Sequence, residues 1–119
     1  MSQTLAMLLL ILPSNEAAIL ARVAAKYKLT MEQTALLGAI RRAEAGSCGK
    51  ELGVEVPRAQ RYSHSPSRSL YVQGCWAAAT IKKRYTGDVD AFARRWTPVN
   101  PVVEAKNLRF FMERQGYNK

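Results

Sequence analysis

Histidine occurs once in these 119 residues, as His64, and cysteine only twice, as Cys48 and Cys75. Zinc takes three or four such ligands, so no metal site is expected, and no cofactor either. The two cysteines read either as separate small thiols or as one disulfide, and the sequence leaves both open. Long apolar runs are missing too. The longest is Leu5–Leu12, closed by Pro13, and eight residues are too few to span a bilayer. No basic residue precedes it and no small-x-small cleavage site follows promptly, so it is not read as a signal peptide. It reads as a short helix or tail packed on the core or on a partner protein. Acidic residues are scarce, 9 against 18 Lys and Arg, which leaves +9 and a pI near 10. Such a balance points to an anionic partner. No long basic block and no recognition motif accompanies it, so nucleic acid is not the expected one. There is no internal repeat and no linker.

Apolar residues make up 48% of the chain, enough for one domain with one core. The most informative stretch is Thr30–Val54. Thr30 with Gln33 three residues on is a capping box, and Leu36, Leu37, Ile40 and Ala43 recur at helical spacing. At roughly 100° per residue, Glu44 falls close to the azimuth of Leu37 and Ile40. A carboxylate on the core-facing side of a helix end is costly unless it is protonated, paired or used. Gly46 is expected to end this helix, and Gly49 and Gly53 follow.

Further helices are expected over Glu16–Tyr27, capped by Ser14 or Asn15, and over Leu70–Tyr85. Asp88 should cap a short one ending at Trp96. Asn100-Pro101 should open a last, mostly buried one carrying Val103, Leu108, Phe110, Phe111 and Met112. The stretch 47–69 is rich in Gly, Ser, Pro and Arg; Leu52, Val54 and Val56 alternate briefly, which allows a hairpin around 52–62. The fold class is thus mainly α, with α+β left open: about five helices and a short irregular or hairpin segment near 47–69.

Glu51 and Glu55 stand within one loop of Glu44. Two nearby carboxyls in unlike environments are what glycoside cleavage needs: a protonated acid, and a base, nucleophile or ion stabiliser. By spacing alone, solvated or salt-bridged glutamates explain the pattern as well.

Residues 39–54, Ala-Ile-Arg-Arg-Ala-Glu-Ala-Gly-Ser-Cys-Gly-Lys-Glu-Leu-Gly-Val, resemble the end of the catalytic helix in lysozyme-like and soluble lytic transglycosylase domains, above all the small versions of bacteriophages. Trp76–Ile81 resembles the alanine-rich helix behind that site. Phe92–Pro98 is similar to a short segment of the form F-x-x-R-aromatic-x-P, and Asn107-Leu108 with Phe110–Met112 to the closing helix. The resemblance covers roughly residues 16–115. Ala45 stands where the transglycosylases have Ser after the glutamate, and their Gly-Leu-Met-Gln and Ala-Tyr-Asn-x-Gly motifs are absent.

The apolar N-terminal segment takes up 1–13, and the resemblance implies a lysozyme-like domain over 14–119. It implies cleavage of the β-1,4 bond between N-acetylmuramic acid and N-acetylglucosamine in peptidoglycan. Glu44 would be the general acid. In a transglycosylase it would then serve as base toward the muramyl 6-hydroxyl; in a hydrolase Glu51 would be the second carboxylate. Tyr62, Tyr71 and Trp96 would stack on sugars. The setting would be a phage virion acting at the bacterial wall or periplasm, with other virion proteins docking on Leu5–Leu12. The alternative is a non-catalytic virion protein that keeps the fold.

Overall fold

The capping box forms as the sequence demands. The Gln33 N–H donates to Thr30 Oγ1 at 3.0 Å and the Thr30 N–H to Gln33 Oε1 at 2.8 Å, and from there Met31–Glu44 runs as a helix. The computed structural model describes residues 2–117. These form α1 (Gln3–Leu8), α2 (Ser14–Tyr27), α3 (Met31–Glu44), α4 (Pro57–Gln60), α5 (Pro66–Arg84), α6 (Val89–Trp96) and α7 (Pro101–Glu113), with no strand among the described residues. The mainly α class stands. The count is seven rather than five because the apolar N-terminus and Pro57–Gln60 each add a short helix.

Helix α3 is the axis of the core. Thr34 through Ile40 are all buried, and α3 touches α1, α2, α5 and α7. Gly38 makes part of this closeness available, because a Cβ there would sit 2.7 Å from Leu8 Cδ2 and 3.0 Å from Gln115 Oε1. Leu8, Leu20, Leu36, Leu37, Ile40, Ile81, Leu108 and Met112 are all fully buried. Each such side chain contributes about 1.5–3 kcal/mol of transfer free energy.

Several local expectations shift. In α2 the buried face is Ala17, Leu20, Val23 and Ala24, and neither Ser14 nor Asn15 caps it: Pro13 stands at the cap without a side-chain bond. Helix α5 starts four residues early, because Pro66 at its first position needs no N–H partner. Asp88 caps α6 by accepting the Ala91 N–H at 3.1 Å. Helix α7 buries Ala105, Leu108 and Met112, while Val103 and Phe110 are exposed.

The Leu5–Leu12 run lies mostly inside the fold. Met7, Leu8 and Leu12 are buried, Leu5, Leu9 and Ile11 half-buried, and Leu10 is its one exposed large side chain. Little of it is left for another protein to hold. No helix among the described residues is long and apolar enough to cross a membrane. The two cysteines are unpaired.

Candidate functional site

Helix α3 ends at Glu44 because Ala45 turns left-handed, with φ at 48°. Gly46, the expected stop, serves another purpose: a Cβ there would fall 1.8 Å from the Lys50 carbonyl oxygen, so only glycine lets the loop fold back on itself. No hairpin forms in 52–62. Side chains hold this loop in place of a strand ladder. Buried Gln73, on α5, accepts the Leu52 and Val54 N–H groups at 3.2 and 3.1 Å, and its amide donates to the carbonyls of Gly49, Val54 and Ala59 at 3.0, 2.9 and 3.2 Å. Arg41 pairs with Glu16 at 2.7 Å and donates to the carbonyls of Gly46 and Glu51, both at 3.0 Å.

The two nominated carboxyls end up in different surroundings. Glu51 is buried, and its Oε1 accepts the Gly49 N–H at 3.0 Å and the Ser69 hydroxyl at 2.8 Å. It braces the loop. Glu44 is half-buried and lies against Gly53, where a Cβ would meet Oε2 at 2.8 Å and Cδ at 3.0 Å. Gly53 also holds φ at +75°, so both space and conformation favour glycine there.

The carboxyl that partners Glu44 belongs to Glu104, in the first turn of α7. Burial raises the Glu44 pKa, while hydrogen bonds from Glu104 and from the Trp96 indole act to lower it; Glu51 is not among the groups acting on it. Glu104 is pushed up to about 7, by burial first, then by the Glu44 charge and their mutual hydrogen bond. Its Oε1 is buried and accepts no hydrogen bond. Two half-buried carboxyls in contact cannot both ionise cheaply, so this pair holds one proton near neutral pH. Trp96, at the end of α6, is itself held by stacking on Phe92, with centroids 5.6 Å apart and 19° between planes.

Of the three aromatics expected at a sugar site, Trp96 alone comes to Glu44. Tyr62 and Tyr71 line a groove of about 560 Å³ between α2 and the start of α5, and Glu44 is not part of its lining. Neither ring is bare: Arg61 and Arg68 lie over Tyr62 and Arg22 and Lys26 over Tyr71. Among the described residues no His, Cys, Asp and Glu cluster could hold a metal.

Glu104, Gln73 and Arg41 are the residues that sequence reasoning missed. Glu104 carries a faint signal: it is the one acid in the otherwise apolar opening Pro101-Val102-Val103-Glu104-Ala105. No family model, characterised protein or solved structure matches the chain.

Proposed function

We propose that this protein cleaves the glycan strands of peptidoglycan at the β-1,4 bond between N-acetylmuramic acid and N-acetylglucosamine, as a lytic transglycosylase or lysozyme of the small bacteriophage type, with Glu44 as general acid. The observation that carries the reading is the pairing of two half-buried carboxyls, Glu44 and Glu104, at the glycine-lined end of α3, where burial raises the pKa of both. A glycosidase acid must still hold its proton near neutral pH. The residue resemblance over 39–54 supplies the substrate class and the virion setting.

In this scheme Glu44 gives its proton to the glycosidic oxygen as that oxygen leaves C1. The bond electrons go to the leaving group, and an oxocarbenium-like sugar remains. The Glu44 carboxylate then takes a proton, either from the muramyl 6-hydroxyl, closing a 1,6-anhydro ring, or from a water that adds to C1. The ring-closing route needs no second nucleophilic carboxylate. Glu104 stabilises the pair's charge before and after transfer, and Trp96 offers an indole face and an N–H at the same place.

The test is a turbidity and muropeptide assay of parent and Glu44→Gln. Loss of general acid catalysis should cost ~10²–10⁴-fold in rate. Equal activity would end the assignment of Glu44, and anhydro-muropeptides among the parent's products would select the transglycosylase route. The second reading, a non-catalytic virion protein, draws on the apolar surface of Val99, Val102 and Val103, which are 90%, 79% and 54% exposed. It predicts that Glu44→Gln changes nothing and that Val99→Ser with Val102→Ser blocks assembly.

A further inference from the structure

The groove between α2 and α5 has a one-sided chemistry. Its lining carries Arg22, Arg61 and Arg68, the hydroxyls of Tyr62, Ser65, Ser67 and Tyr71, and no carboxylate. Lys26 adds a fourth cation beside it, 5.6 Å from the Tyr71 ring centroid. The cations are not loose. Arg61 and Arg68 sit 4.8 and 5.2 Å from the Tyr62 centroid, and Arg22 sits 5.2 Å from that of Tyr71. A ring beneath a guanidinium restricts its rotamers, so less entropy is lost when a ligand arrives. The 19-residue helix α5 also begins in this groove at Ser65-Pro66, and no side chain caps it. The field is felt locally: hydrogen bonding from Arg68, with the charge of Arg61, lowers the Tyr62 hydroxyl pKa.

We infer that this groove binds the phosphodiester chain of a polyol-phosphate polymer, with the guanidinium groups of Arg22, Arg61 and Arg68 on successive phosphates. Guanidinium forks match phosphate oxygens, and an uncapped helix start favours the same charge. Several cations along one open groove suit a repeating anion rather than a single one. The tyrosine faces that would stack nucleobases already carry guanidinium groups, and single-stranded nucleic acid binding depends on such faces. Hydroxyls between the cations suit a polyol backbone. That the polymer belongs to the bacterial envelope rests on the wall-cleaving reading; the anion site itself does not, since Glu44 lies outside it.

The experiment measures binding of purified polyglycerol phosphate by fluorescence anisotropy, across a salt series, with oligo-dT of matched length in parallel. Arg22→Gln, Arg61→Gln and Arg68→Gln together should weaken binding at least tenfold and flatten the log–log salt dependence by about 2, from ~0.7 per phosphate contact. The charge-matched set Lys83→Gln, Lys106→Gln and Arg114→Gln should cost threefold or less. Equal losses in both sets would overturn the proposal, leaving only diffuse charge. Oligo-dT binding tenfold tighter than polyglycerol phosphate would overturn the ligand class. Should the triple variant melt far below the parent, Arg22→Gln alone decides: a loss of about threefold supports the groove, and parental affinity overturns it. Glu44→Gln should bind the polymer like the parent, so a failed lysis assay and a failed binding assay are separable.

Discussion

Glu51 and Glu104 are two carboxyls drawn in from solvent around the chain that follows α3, and the fold treats them in opposite ways. Glu51 receives two donors, the Gly49 N–H and the Ser69 hydroxyl, and the loop around it is tied further by Gln73 and Arg41. Glu104 keeps one buried oxygen with no hydrogen bond and faces a second carboxyl instead of a cation. Both sites carry a desolvation cost; only the first offsets it locally. A saturated polar cluster holds shape. An undersaturated one holds a proton that can leave, which is the property acid catalysis requires. On the proposed reading, Glu51 belongs to the brace and Glu104 to the chemistry.

The brace should break hardest at Gln73. Gln73→Leu keeps the volume but strips partners from the N–H groups of Leu52 and Val54 and from three carbonyls. With water entering to recover some of them, a loss of about 3–5 kcal/mol is expected in urea unfolding. Glu51→Ala should cost less, about 1–3 kcal/mol, as the buried Ser69 hydroxyl loses its acceptor while the Gly49 N–H keeps Ser69 Oγ at 2.8 Å. If Glu51→Ala instead abolished wall cleavage in a fully folded protein, the division between brace and chemistry would fall.

Glu104→Gln probes the other side. In the folded protein Glu104 titrates at about 7, above the ordinary 4.5 of an unfolded glutamate, so between those values the native state binds more protons. Its contribution to stability is complete below about pH 4.5 and is lost as pH rises through about 7. Discounted for its half-exposed position, the effect is about 1–2 kcal/mol. The variant should lack this fall in stability between pH 5 and 7.5. In activity, the amide cannot hold the proton that the carboxyl pair keeps up to about 7, which leaves Glu44 to titrate alone. The alkaline limb of the pH–rate profile should therefore move down. An unmoved limb would mean that the two carboxyls are not coupled.

Part of this was legible in the residues. The Thr30–Gln33 capping box fixes where α3 starts, and the 3.6-residue period carries Glu44 to the inner face of its end. Asp88 marks the start of α6 as clearly. Such signals are local, each resting on groups within four residues of one another. The loop departs from its local pattern for the opposite reason. Leu52, Val54 and Val56 alternate like a strand, but the N–H groups of Leu52 and Val54 bond to a side chain about 20 residues away. The pairing of Glu44 with Glu104 spans 60 positions and depends on α3 packing against α7, which no spacing rule encodes. Tyr62 and Tyr71 have the aromatic faces that a sugar platform needs, but arginines lie over them.

Trp96→Phe is the mildest cut and reverses the sign of the Glu104 experiment. The ring can still stack on Phe92, so stability should change by about 1 kcal/mol or less. What disappears is the indole N–H, one of the two groups that hold the Glu44 pKa down against burial. Without it the carboxyl keeps its proton to higher pH, and the alkaline limb should move up. Glu104→Gln and Trp96→Phe therefore displace the same limb in opposite directions while leaving the Gln73 brace intact. Displacement in the same direction by both would show that the limb belongs to some group other than Glu44.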